Sequence, residues 1–248
     1  MNTLTHGLHV TRSAARNRQM GSLGRAINLT MPILAVLFGL LMLMPIRHSH
    51  AEPGARPLKI IAFGDSLTAG FGLAPGQSFP EVLQFALEAR GAAVEVVNAG
   101  VSGDTTAAGL ARLDWVIGED ADGVIVELGA NDALRGQPPA QARANLDAIL
   151  TRLAARKLPV LLAGMRAPEN WGEDYRATFD AIYPALAAKH GAILYPFFLD
   201  GVALDRKLNL DDGLHPNARG IAMIVERMLP SVERLIVEIR SRKTAARG

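Results

Sequence analysis

The sequence predicts an α/β protein, a three-layer α/β/α domain built on a five-stranded parallel sheet. Past residue 57, short apolar runs alternate with longer stretches of helical period, the pattern of a parallel sheet covered on both faces. The 248 residues are 49% hydrophobic and 20% charged, a composition that supports a buried core. At roughly 100–200 residues per domain, this length suits one domain behind a leader.

The leader comes first. Residues 27–46 are apolar and uncharged, preceded by Arg12, Arg16, Arg18 and Arg25 and followed by the small-residue site Ser49-His50-Ala51. Residues 1–51 therefore read as an export signal cleaved near Ala51, which places the mature chain in the periplasm or outside the cell. The alternative is an uncleaved inner-membrane anchor, since the apolar run matches the ~20 residues needed to cross a bilayer. Met20 is a second possible start. Residues 52–57, rich in Pro and Gly, read as a linker, and residues 241–248 as a basic tail after a domain spanning 58–240.

Within that domain the expected strands are residues 58–63, 94–98, 123–128, 160–163 and 192–194. Expected helices are residues 79–89, 105–114, 140–156, 175–189 and 216–240. In the third, Ala142, Leu146, Ile149 and Leu153 form one apolar stripe. Ligands of such sheets bind beyond the carboxyl ends of the strands, which directs attention to the residues after each one.

Composition narrows the chemistry. With no Cys, disulfide scaffolds, thiolate metal sites and thiol nucleophiles are excluded. The basic pI near 9.1 belongs to the leader: five of the 26 basic residues and no acid precede Glu52, which leaves 21 basic against 24 acidic residues, a formal −3. Nucleic acid is not an expected partner, and aromatics at 5% provide no stacking platform. No metal is expected, because the two His of the mature domain stand in no His-Glu-x-x-His pattern. No phosphate-binding Gly motif occurs and no cofactor is indicated.

After the first expected strand comes Gly64-Asp65-Ser66-Leu67-Thr68-Ala69-Gly70, where Ser66 sits at the top of the sheet near a helix start, the other reading being that Ser66 or Asp65 caps that helix. Ser102-Gly103-Asp104-Thr105 follows the second strand and Gly129-Ala130-Asn131-Asp132 the third. A Gly N–H and an Asn amide are the donor types that stabilise an oxyanion. Four of the six His lie before residue 51. Of the remaining two, His190 precedes Gly191 and reads as a helix-terminal residue. His215 stands three residues after Asp212, a spacing that lets a carboxylate orient an imidazole; the other reading makes Asp212 or Asp211 the cap of the last helix.

Taken together, Gly64-Asp65-Ser66-Leu67, Gly103, Gly129-x-Asn131 and Asp212-x-x-His215 resemble, in order and spacing, the GDSL esterases or SGNH hydrolases, a flavodoxin-like fold family. The likeness is closer to its periplasmic arylesterase, acyl-CoA thioesterase and lysophospholipase branch, through Val126-Glu127-Leu128-Gly129, Leu134-Arg135-Gly136 and Ala181-Ile182-Tyr183-Pro184. It implies Ser66 as nucleophile, His215 as general base and Asp212 as its orienting carboxylate. The implied oxyanion donors are the N–H groups of Ser66 and Gly103 and the amide of Asn131. It also implies a small acyl ester or thioester substrate, with Leu134, Met165, Trp171 and Tyr175 on two loops lining an acyl groove, or serving as loop anchors. Arg135 and Arg166 read as solvated charges, with headgroup contact the alternative. Ala130 departs from the second Gly frequent in the branch. The expected enzyme is an exported monomeric esterase; the alternatives are a carbohydrate O-deacetylase and a non-catalytic tethered binding protein.

Overall fold

The computed structural model describes residues 56–246, so the leader expected at 1–51 lies outside the described residues. Strands β1 (Leu58–Gly64), β2 (Val94–Gly100), β3 (Gly123–Glu127), β4 (Val160–Ala163) and β5 (Ile193–Tyr195) form one parallel sheet in the order β2-β1-β3-β4-β5. The central strands are buried along their length, as covering on both faces requires. Between β1 and β3 the strand order reverses, and the crevice at such a switch point is where open α/β sheets bind ligands.

The helices are α1 (Ser66–Ala69), α2 (Phe79–Glu88), α3 (Thr106–Val116), α4 (Ala130–Leu134), α5 (Pro139–Ala155), α6 (Glu173–Asp180), α7 (Ile182–His190) and α8 (Ala218–Ala245). Helix α2 packs against α8, and α3, α5 and α7 pack in series, giving the helical layers of the α/β/α sandwich. The stripe expected on α5 is buried, with Leu146, Ile149 and Leu153 fully so. Helix α8 turns Ile221, Ile224, Met228, Val232, Leu235 and Ile239 inward, a three-and-four spacing that fits a helix against a sheet.

Two expectations differ from what is observed. The helix expected at 175–189 is two helices, α6 and α7, meeting at Ala181. Pro184 has no N–H to offer the carbonyl of Asp180, and the flanking Ala181→Ala177 and Ala185→Ala181 bonds are stretched to 3.3 and 3.4 Å. The last helix starts at Ala218, not 216, and continues to Ala245, through residues read as the start of a tail. Among the described residues no helix is long and apolar enough to cross a membrane.

Candidate active site

Strand β1 delivers the chain to the switch point and ends in Gly64. A Cβ there would lie 2.1 Å from Thr68 Oγ1 and 2.6 Å from the Glu127 carbonyl, so only glycine lets β1 run against β3 and turn at once into α1. Capping of α1 falls to Asp65, whose Oδ1 accepts from the Leu67 N–H at 3.0 Å. The Ser66 hydroxyl is therefore not needed as a cap and is left for another partner.

That partner comes from the loop before α8. Asn217 caps α8, its Oδ1 accepting from Arg219 and Gly220 N–H, while its Nδ2 donates to the carbonyls of Lys207 and Asn209. Neither Asp211 nor Asp212 caps the helix. Instead Asp212 Oδ1 accepts from the N–H groups of Leu214 and His215, and Oδ2 lies 2.6 Å from His215 Nδ1. His215 Nε2 lies 2.9 Å from Ser66 Oγ. A carboxylate can only accept, so Nδ1 carries the proton and Nε2 is free to accept the serine hydrogen. Burial works to raise the Asp212 carboxyl, but the two backbone donors and the imidazole outweigh it and hold it below 3.8. The ring of Phe71 covers the imidazole at 4.5 Å between centroids, a contact sequence reasoning missed.

Gly103 and Asn131 approach from the next two strands. Gly103 sits at φ +88°, a left-handed conformation that glycine adopts without strain. Asn131, in α4, donates from Nδ2 to Asp65 Oδ2 at 3.1 Å, leaving its second amide hydrogen uncommitted by this bond. Both loops are locked together. Asp132 accepts from the N–H and hydroxyl of Thr106 at 2.8 and 2.6 Å, and Arg135 donates to the Gly103 carbonyl at 3.1 Å and to Asn131 Oδ1 at 3.4 Å. Arg135 is thus a clamp between the Gly103 loop and Asn131. Arg112, also missed in the sequence, donates to the carbonyls of Gly64 and Ala99 and pairs with Asp104 at 2.5 Å, tying together the ends of β1 and β2.

Of the residues expected along an acyl groove, Leu134 and Trp171 are exposed. Trp171 lies over Gly136, where a Cβ would meet its ring at 2.7 Å, and Tyr175 donates its hydroxyl to the Gln137 carbonyl at 2.7 Å. These two aromatics join the loops after β3 and β4. Met165 does not line a surface groove. It is 3% exposed within the core, because Gly164 before it is still held by bonds to Tyr195 and Phe198. Arg166 stacks on Phe197. His190 ends α7 beside Gly191 and meets Asp147 at 2.6 Å, a helix-terminal role.

Sequence reasoning also passed over Glu127. It is a fully buried carboxyl that accepts from the Thr68 hydroxyl at 2.7 Å and the Asp65 N–H at 3.4 Å. The available signal was a single acid between Val126 and Leu128 in an otherwise apolar strand.

A hydroxyl, an imidazole and a carboxylate in hydrogen-bonded series, with an amide and a glycine loop beside them, form the kind of constellation that hydrolyses acyl bonds. Fold and site thus define a class, the ester-hydrolysing enzymes built on an α/β/α sheet. The chain belongs to the GDSL-like lipase/acylhydrolase family, whose profile matches residues 62–223. It is 38% identical over 178 residues to Esterase TesA of Pseudomonas aeruginosa, covering 71% of this chain and 89% of that one. It is 36% identical over 200 residues to Thioesterase 1/protease 1/lysophospholipase L1 of Escherichia coli K12, covering 80% and 92%. Among solved structures it resembles AlinE4, an SGNH-hydrolase family esterase, at 49% identity and a TM-score of 0.62, covering 73% and 97%.

Proposed function

We propose that the protein is an exported serine esterase that hydrolyses fatty acyl esters and thioesters through an acyl-enzyme, with arylesterase, acyl-CoA thioesterase and lysophospholipase-type activity. The observation that carries this reading is the unbroken series from Ser66 Oγ through His215 to Asp212, at 2.9 and 2.6 Å. His215 Nε2 takes the Ser66 proton as Oγ attacks the acyl carbonyl. Asp212 holds the imidazole in the required tautomer and stabilises its protonated form. The developing oxyanion is received by the N–H groups of Ser66 and Gly103 and the free N–H of Asn131. His215 then protonates the departing alcohol or thiol, and a water activated by the same nitrogen releases the acid and restores Ser66.

Phe71 against His215, with Leu134 and Trp171 on the loop after β3 and the loop after β4, are half-exposed apolar side chains that would receive an acyl chain, Tyr175 bracing the loop. The names of the relatives support ester and thioester substrates. Export rests on the leader, with its basic residues, apolar run and small-residue site. The test is the hydrolysis rate of p-nitrophenyl esters from acetate to palmitate. We expect medium or long chains to be preferred, and the rate to fall by more than about 10³ in Ser66→Ala. Activity confined to acetate would redirect the reading to an O-deacetylase, and activity that survives in Ser66→Ala would overturn it.

A further inference from the structure

Glu127 lies at the end of β3 with no access to solvent, as does Asp65 behind Ser66. The hydrogen-bond donors around the pair divide unevenly. Glu127 Oε2 accepts from Thr68 and from the Asp65 N–H, whereas Oε1 is buried and meets no donor group. Both Asp65 oxygens are occupied as acceptors, Oδ1 by the Leu67 N–H and Oδ2 by Asn131 Nδ2, and the bond from its own N–H sets Asp65 against the buried Glu127 carboxyl. Two carboxylates cannot bond to each other without a proton between them.

Among the described residues no cationic side chain bonds to either carboxyl to substitute for that proton. The Arg112 guanidinium is occupied by Gly64, Ala99 and Asp104. Tyr183 donates to the Leu128 carbonyl, Asp132 is bound to Thr106, and His215 lies between Ser66 and Asp212. Burial accordingly pushes the Asp65 carboxyl up to about 6, and burial with the Asp65 charge pushes Glu127 well above the usual carboxylate range.

We infer that Glu127 is a positioning residue: as a neutral acid it donates its proton to Asp65, and Asp65 in turn fixes the Asn131 amide so that its second N–H faces the oxyanion. The order Glu127, Asp65, Asn131, Arg135 then orients one donor from both sides, Asp65 holding its nitrogen and Arg135 its oxygen. This rests on the role proposed above for Asn131. Glu127 touches no reacting atom, and its effect passes through the amide alone.

The test compares Glu127→Gln, which keeps a donor towards Asp65 without titrating, with Glu127→Leu, which removes it, each with and without Asn131→Ala. On a p-nitrophenyl ester, Glu127→Leu is expected to lower kcat about 10- to 100-fold with KM changed less than threefold, since a 1 Å misplacement costs on the order of 10². Glu127→Gln should restore kcat to within a few-fold. In the Asn131→Ala background the Leu substitution should cost almost nothing more. Equal losses in both backgrounds, or a Gln variant as impaired as the Leu variant, would overturn the inference. If Asn131→Ala alone left kcat unchanged, the oxyanion role itself would fail, which is a separable result. Should Glu127→Leu not fold, the wild type and Glu127→Gln decide the matter by their stability against pH. The folded pair binds a proton that the unfolded chain releases above about pH 4, so wild-type stability should fall relative to Glu127→Gln as pH rises from 4 to 7. Parallel curves would mean that no shared proton exists.

Discussion

At Arg135 a single guanidinium spans the two loops that carry the proposed oxyanion donors, through the Gly103 carbonyl and Asn131 Oδ1. The basic side chain did not reveal this, since the Gly103 carbonyl lies 32 positions away and only the folded sheet brings it to an arginine that also reaches Asn131 four positions before it. Replacing Arg135 by Met should loosen both donors and lower kcat about 10-fold, whereas Asn131→Ala removes a donor outright and should cost ~10²–10³. Steady-state kinetics on one ester, with KM tracked separately, distinguishes the two. Ser66, Asp212 and His215 were legible because residue type and spacing carried them. What sequence left open was whether Ser66 and Asp212 capped helices, and the structure places those duties on Asp65 and Asn217. Glu127, Thr68, Arg112 and Phe71 were not legible as site residues, because their partners come from other strands and loops.

Among the elements, the loop before α8 shows how little regular structure is needed to place an imidazole. Asn217 both caps α8 and laces that loop to Lys207 and Asn209, while Asn209 Nδ2 holds the carbonyls of Val202 and Asp205. Asn217→Ala removes the cap, worth about 0.5–2 kcal/mol, together with the lacing. A lower melting temperature accompanied by a lower kcat is the expected outcome, and full activity at reduced stability would show that the lacing does not position His215. Apolar runs made the five strands readable to within two residues, since burial on both faces writes itself into sequence. The short helices α1 and α4 were not readable, being four and five residues long, less than two turns of periodicity. The split between α6 and α7 turns on one missing N–H at Pro184, a local effect that the apolar pattern runs straight across.

For the whole molecule, the end of the sheet opposite the site carries its own fastening. Asp122, with its side chain 4% exposed, meets Arg56 at 2.7 Å and Lys243 at 2.5 Å, and it accepts from the Lys59 N–H at 2.8 Å. These partners come from the first described residues and from the last turns of α8, so one carboxylate ties both ends of the domain to the sheet. Burial works to raise its carboxyl, but Lys243, the Lys59 N–H and Arg56 outweigh it and hold it below 3.8. A depressed folded-state value contributes stability above the unfolded value and loses it as pH falls through the folded one. Asp122→Asn should therefore cost about 1–3 kcal/mol at neutral pH, with the difference from wild type closing below about pH 4. Chemical denaturation at pH 7 and pH 3 measures both.

The most direct test of the catalytic account is covalent. Incubated with an alkyl phosphonate ester and weighed intact, the enzyme should gain one adduct per chain, mapped by peptide sequencing to Ser66 and absent in Ser66→Ala. An adduct on any other residue, or undiminished ester hydrolysis by fully labelled enzyme, would contradict it.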